Sequence, residues 1–180
     1  MKIEIGKSKL HGKGLIANKD IKKGEVIFVI KGKMINFLIN NKTQAKIAWF
    51  NLIGFKKNVW IDPMGYGLYI NHSCEPNSAI KGKVTVVAIQ PIKSGEEITT
   101  DYSLSEADIF WKIKCSCQSK SCRKIIKSIQ FLPSSVFETY KSYIPDYFRR
   151  IYSKFKLLNF KNPKELEIKW VDYIKKDFGI

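Results

Sequence analysis

The stretch Asn71-His72-Ser73-Cys74-Glu75-Pro76-Asn77 packs amide, imidazole, hydroxyl, thiol and carboxylate groups into seven residues. Taken alone it reads as a polar turn, with Asn71 and Asn77 satisfying nearby backbone groups. His72 alone reads as a hydrogen-bonded structural histidine. Cys74 makes the stretch decisive. The other three cysteines form Cys115-x-Cys117-x₄-Cys122, and a structural zinc site takes four ligands. One distant thiol plus a three-thiol cluster fits a closed Cys₄ site with no position for water. The competing reading is free thiols, with Cys74 a small buried apolar residue. Arithmetic favours the metal, since all four cysteines are used and none is left over.

The chain has 180 residues, 44% of them hydrophobic and 13% aromatic, which suits one globular domain with a small appendage. No stretch approaches the ~20 apolar residues of a membrane span, so no membrane partner is expected. Met1–Leu10 lacks the apolar run of a signal peptide. The expectation is therefore an intracellular protein of cytoplasm or nucleus, with thiols reduced or metal-bound. Specialised secretion leaves no such mark and stays open. The net charge is +16, from 32 basic and 16 acidic residues. It is spread evenly along the chain, which reads mostly as a solvated lysine-rich surface. Attraction to nucleic acid or acidic protein surfaces is the functional reading.

The first hundred residues alternate short apolar runs and turns. Lys2–Ile5, Gly14–Ala17, Val26–Ile30, Val59–Ile61 and Val84–Ile89 read as strands, the fourth stopped by Asp62-Pro63. Residues 35–58 read as an irregular insert, with one short helix over Gln44–Leu52. The segment Ala17…Ile21…Gly24-Glu25…Ile27 is echoed by Ala88…Ile92…Gly95-Glu96…Ile98. Both read as strand, glycine turn, strand. Beyond Cys122 the period becomes helical, with Val136, Tyr140, Tyr143/Ile144, Tyr147, Ile151, Phe155 and Leu158 on one stripe interrupted at Pro145. Asn162-Pro163-Lys164-Glu165 starts a second helix, with Leu166, Trp170, Ile174 and Phe178 on its apolar face.

Three further segments gain meaning from their order. His11-Gly12-Lys13-Gly14-Leu15, Asn71–Asn77, Glu97-Ile98-Thr99-Thr100-Asp101-Tyr102 and the Cys115–Cys122 array together resemble a SET-domain protein lysine methyltransferase with a post-SET zinc segment. The resemblance covers residues 5–125 or so and leaves the C-terminal part to the helical reading. It implies a mainly β fold of the SET β-clip type, with small sheets around a knot-like crossing of the third and fourth motifs, and a C-terminal α extension. The domains implied are 1–105 for the SET domain with its 35–58 insert, 106–127 for the post-SET zinc segment, and 128–180 for the extension.

The resemblance also implies roles. Gly12, Lys13, Gly14 and Leu15 would cradle S-adenosylmethionine with Asn71, His72 and Tyr102, and Tyr102 would be the catalytic residue. Thr100 and Tyr69 would line the substrate channel. Cys74, Cys115, Cys117 and Cys122 would hold one structural Zn²⁺. The substrate would be a protein presenting a lysine, a histone or another DNA-associated protein. Lysine ionises near ~10.4 and must lose its proton before attack, which an apolar channel favours. Three departures from the family pattern stand out. Leu68-Tyr69 replaces an Arg-Phe pair, Val29-Ile30-Lys31-Gly32 lacks the second motif's tyrosine, and Thr100 stands where an aromatic residue is common. The smaller Thr100 predicts room for higher methylation states. Two other readings remain: a SET-fold interaction module without catalysis, and a basic zinc-containing protein making unspecific nucleic-acid contacts. The sequence leaves oligomeric state open.

Overall fold

The computed structural model describes residues 1–36, 52–56, 59–109 and 111–158. The expected helix over 44–52, apart from Leu52, and the second C-terminal helix from Asn162 lie outside the described residues. What is described is mostly short strands in small sheets, followed by helix.

The strands are β1 (Ile3–Lys7), β2 (Lys13–Ala17), β3 (Val26–Val29), β4 (Lys31–Asn36), β5 (Ile53–Lys56), β6 (Val59–Met64), β7 (Asn71–His72), β8 (Ser78–Lys81), β9 (Thr85–Ala88), β10 (Glu97–Thr100), β11 (Lys112–Lys114) and β12 (Ile125–Lys127). They form four sheets, ordered β1-β2-β10-β7, β3-β9-β8, β4-β6-β5 and β11-β12. β6 does not stop at Asp62-Pro63. It runs to Met64 because β4 pairs with it throughout, Gly32 opposite Pro63. The β5 ladder reaches only Ile61, so Pro63 sits beyond that neighbour, where a missing N–H is tolerated. Ile53–Lys56, inside the stretch read as an insert, is a strand. The main core gathers alternating positions from three of these sheets: Leu15, Ala17, Ile27, Ile61, Val86, Ala88 and Ile98 are all buried.

The internal echo turns out to pair with itself. Ile21 and Ile92 exchange both backbone hydrogen bonds, at 2.8 and 2.9 Å. On one side Ala17 N–H donates to the Glu96 carbonyl and the Ala17 carbonyl accepts from Gly95 N–H; on the other Gly24 N–H donates to the Ala88 carbonyl, and Ala88 N–H donates to the Glu25 carbonyl. The two copies are thus bracketed reciprocally about Ile21 and Ile92. Gly24 and Gly95 both have positive φ, at 85° and 87°, the backbone state that a side chain disfavours.

The bracket delivers β10 to the centre of its sheet, antiparallel to β2 and parallel to β7. Thr99 faces Asn71 and Thr100 faces His72 across the parallel pair. Two segments far apart in the chain therefore lie side by side. Asn77 locks them: its Nδ2 donates to the Glu97 carbonyl at 2.8 Å and its Oδ1 accepts from Thr99 N–H at 2.9 Å.

The C-terminal part holds α1 (Ser134–Tyr140) and α2 (Asp146–Leu157), broken at Pro145 as expected. The buried face is shifted from the expected stripe. Phe137, Phe148 and Tyr152 are buried alongside Ile151 and Phe155, and Phe137 stacks on Tyr152 with centroids 3.7 Å apart. A wide apolar face spans neighbouring helical positions, so the stripe's phase follows the largest rings. Phe148 also comes within 3.0 Å of where a Cβ on Gly54 would stand, so this layer packs directly on β5.

Candidate active site and cysteine cluster

Strand β10 and its exit, the short 3₁₀ turn Tyr102–Ser105, organise everything that follows. At the β2 end, Ser8 donates to both oxygens of Glu97, at 2.8 and 2.9 Å, and accepts from the N–H groups of Leu10 and His11. Asn71 Nδ2 donates to Glu97 Oε1 at 2.7 Å and to the Lys13 and His11 carbonyls at 3.0 and 3.2 Å. This network holds the Gly12–Gly14 turn. A Cβ on Gly14 would meet Glu97 Oε1 at 2.3 Å, while Gly12, with φ 54°, faces open space. Leu15, expected in the same cradle, is wholly buried in the core.

At the β7 end, His72 Nδ1 accepts the Tyr102 backbone N–H at 3.2 Å, and Nε2 lies 3.3 Å from Cys74 Sγ. Since Nδ1 accepts, the proton sits on Nε2 and points at the sulfur. Burial, helped by the Arg123 charge, brings His72 down to about 3. The ring is therefore neutral, and its 3.6 Å approach to Asp101 is no ion pair. Tyr102 donates its hydroxyl to the Ile70 carbonyl at 2.8 Å. Burial first, then the Glu97 charge, pushes that phenol up to about 12, so it stays protonated at neutral pH.

Tyr102 forms part of the wall of a cavity of ≈ 120 Å³ with Thr100, Leu68, Ile70, Trp111 and Ile113. Of the two residues expected along a channel, Thr100 lines this cavity. Tyr69, which ends the 3₁₀ turn Gly65–Tyr69, packs against the main core, while its neighbours Leu68 and Ile70 reach the cavity wall. Glu106 is the one carboxylic acid in the cavity wall among the described residues. It accepts from the Ala107 and Asp108 N–H groups at 2.7 and 2.8 Å, and burial pushes it up to about 7.

The four cysteines are free of disulfides. Cys74, Cys115 and Cys117 come together with His72, their donor atoms all within 4.8 Å of one another. Cys74 and Cys115 sulfurs are 3.8 Å apart, and the Cys74 N–H donates to Cys117 Sγ at 3.4 Å. Cys122 stands beside this group, its Sγ 4.0 Å from the Cys115 carbonyl. Trp111 and Ile126 pack around them. Burial opposes ionisation of Cys117, but the Ser119 hydroxyl and the Cys74 N–H outweigh it and lower the thiol. Sulfur donors of this kind, one of them poised to ionise, suit Zn²⁺. His72 was expected among cofactor residues; that it also touches Cys74 was not foreseen, though the two are only two residues apart. Ser8, Glu97 and Arg123 were missed as site residues as well. Glu97 lies within a quoted motif, and Arg123 directly follows Cys122.

A β-rich chain of small sheets, with a central strand holding a glycine turn, a buried tyrosine and a thiol cluster together, defines the architectural class. The SET-domain family profile matches residues 12–103, just over half of the chain. The chain belongs to the SET-domain family.

Its relatives include the histone-lysine N-methyltransferase trithorax of Drosophila virilis, 32% identical over 138 residues that cover 69% of this chain and 4% of that protein. Human histone-lysine N-methyltransferase 2B is 30% identical over 141 residues, 69% of this chain and 5% of the relative. A variant-silencing SET domain-containing protein of Plasmodium falciparum (isolate 3D7) is 28% identical over 175 residues, 78% of this chain and 7% of the relative. The chain thus spans only a small part of these long proteins. A crystal structure of a putative histone methyltransferase of Plasmodium falciparum, 29% identical, covers 56% of this chain and 96% of its own, with a TM-score of 0.44, a likeness too partial to bear on the site.

Proposed function

We propose that this chain is an S-adenosylmethionine-dependent protein-lysine N-methyltransferase acting on a histone or another protein. The observation that carries the reading is the placement of Tyr102, its hydroxyl bonded to the Ile70 carbonyl, in the wall of a largely apolar cavity of ≈ 120 Å³. The same strand pair that positions it also holds the Gly12–Gly14 turn. Family membership and relatives named as histone-lysine N-methyltransferases support the same conclusion.

The residues fit the methyl donor. Gly12 leaves its surroundings open, Gly14 has no room for a Cβ, and the His11 and Lys13 carbonyls lie against the Asn71 amide. Gly12, Lys13, Gly14 and Leu15 would hold the cofactor by main chain, with Asn71 and His72 completing the cradle. When bound, S-adenosylmethionine supplies an electrophilic methyl group. The cavity walls of Leu68, Ile70, Trp111 and Ile113 exclude water and disfavour the ammonium form of an entering lysine. Tyr102, kept protonated, orients the amine through its hydroxyl. Thr100 leaves space that an aromatic ring would fill, so the product would be di- or trimethyl-lysine.

The zinc would be structural, held by Cys74, Cys115, Cys117 and Cys122, with His72 donating to the Cys74 sulfur. It would fix the β11–β12 hairpin beside the cavity, where Trp111 and Ile113 contribute wall. Action would be intracellular, on chromatin if histones are the substrate. Among the described residues no helix is long and apolar enough to cross a membrane.

Labelled S-adenosylmethionine incubated with core histones and with total cellular protein tests the activity. The expected result is label on lysine, lost in Tyr102→Phe. No transfer to any protein, including the chain itself, would overturn it, and label retained by Tyr102→Phe would remove Tyr102 from its role.

A further inference from the structure

Arg123 is the first residue after the last cysteine, yet its side chain turns back into the site. Its Nη2 donates to Asp101 Oδ1 at 2.6 Å and its Nη1 reaches Ser103 Oγ at 3.4 Å. On the other side, both its backbone N–H and its Nε–H point at Cys74 Sγ, each at 3.4 Å. Asp101 is wholly buried, and Arg123 is 16% exposed. Asp101 Oδ2 has no hydrogen-bond partner among the described residues, so Arg123 provides most of what keeps this carboxylate tolerable in the interior. With the His72 Nε2–H, three N–H groups converge on one sulfur.

The cysteine segment has a second tie to Asn71–Asn77. Ser121 donates its N–H and hydroxyl to Glu75 Oε1, at 3.0 and 2.7 Å. That contact is exposed, where such bonds contribute little. Arg123 is largely screened from solvent, at 16% exposure, and acts on the residue next to Tyr102. Asp101 in turn accepts the Ser103 N–H at 3.0 Å, starting the turn that carries the tyrosine ring. A guanidinium can serve both neighbours because its donors lie in a fixed planar fork, which a lysine ammonium lacks.

We propose that Arg123 is a positioning residue that clamps the Asp101–Tyr102 turn to the cysteine cluster, so that the metal-binding segment sets the orientation of the tyrosine. The inference rests on the methyltransferase reading above and names how that site is controlled. Cys74 Sγ is the shared point. Its hydrogen bonds from Arg123 and His72 lead respectively to the Asp101 carboxylate and the Tyr102 backbone. Ordering of the thiol segment and ordering of the tyrosine are then one event.

The test compares wild type, Arg123→Ala, Arg123→Lys, Asp101→Asn and the double variant Arg123→Ala/Asp101→Asn. For each, kcat, KM for S-adenosylmethionine, zinc content and the rate of zinc transfer to a colorimetric chelator are measured. Arg123→Ala should lower kcat about tenfold or more with KM changed by less than about threefold. Its zinc should remain near wild-type content but leave faster. Lysine should rescue only in part. In the double variant the buried carboxylate is gone, so its kcat loss should be much smaller than the product of the two single losses. Equal zinc release from wild type and Arg123→Ala, or strictly multiplicative kcat losses, would overturn the clamp. Should wild type transfer no methyl group at all, the proposed activity fails, while the rate of zinc release still decides the clamp. Unaltered release in Arg123→Ala would then refute it.

Discussion

Glu106 makes the folded protein sensitive to pH in a direction opposite to that of most acids. Its carboxyl is buried between the SET sheets and the helical layer and is raised from 4.5 to about 7, chiefly by desolvation. The unfolded chain ionises this group near its ordinary value, while the folded protein keeps the proton until about pH 7. Between those limits the unfolded state binds fewer protons, so stability must fall as pH rises. Below about 4.5 both states are protonated and there is no penalty; above about 7 the full penalty is reached and stays. At 1.36 kcal/mol per unit, the shift amounts to about 3 kcal/mol, a large part of a small domain's stability. Glu106→Gln isolates the effect, because its amide oxygen can still accept from Ala107 and Asp108. Urea unfolding of both proteins at pH 4.5, 6 and 8 measures it. The variant's advantage should grow by about 3 kcal/mol from the lowest pH to the highest, with most of the change before pH 7. A stability difference that does not vary with pH would refute the reasoning, whatever its sign.

Other outcomes follow from the same geometry. Tyr102→Phe should lower kcat for methyl transfer about a hundredfold or more without moving the urea midpoint by much, since only the hydroxyl bond to Ile70 is lost; steady-state kinetics beside unfolding curves separates the two. Gly14→Ala should weaken S-adenosylmethionine binding, because its methyl group displaces Glu97 and with it the Asn71 and Ser8 bonds that hold the turn; the Kd from calorimetric titration with the cofactor reads this directly. The parent should bind about one zinc per chain by metal analysis, and Cys74→Ser should abolish that binding. Zinc retained fully in that variant would remove Cys74 from the site.

The motifs were legible in the sequence because they are contiguous and chemically dense. Asn71–Asn77, Glu97–Tyr102 and the cysteine array could be placed in order without coordinates, and the β-rich character with a helical end followed from period. Partnerships across the fold were harder to read. Nothing in one dimension says that Ser8 donates to Glu97, or that Arg123 folds back to Asp101. Such bonds depend on two strands arriving in register, which is set by the whole sheet. Tyr69 shows the finest limit. Which of Leu68, Tyr69 and Ile70 faces the cavity is a matter of local phase, and a short 3₁₀ turn just before β7 shifts that phase. The Asp62-Pro63 stop failed for a similar reason, since a proline's effect depends on whether a neighbour strand lies beside it.

The reciprocal bracket around Ile21 and Ile92 bears on how the chain reaches this state. Each glycine turn closes locally, Glu25 N–H on the Lys22 carbonyl and Glu96 N–H on the Lys93 carbonyl, but its seating in the fold depends on bonds from the other copy. Folding must therefore close the long loop between them early, at an entropic cost that local contacts do not repay. A topology of this kind should fold slowly for its size, with a transition state already organised where Ile21 meets Ile92. Truncating either isoleucine to valine should then slow folding more than it speeds unfolding. The repeated segment would be the nucleus from which the site is built.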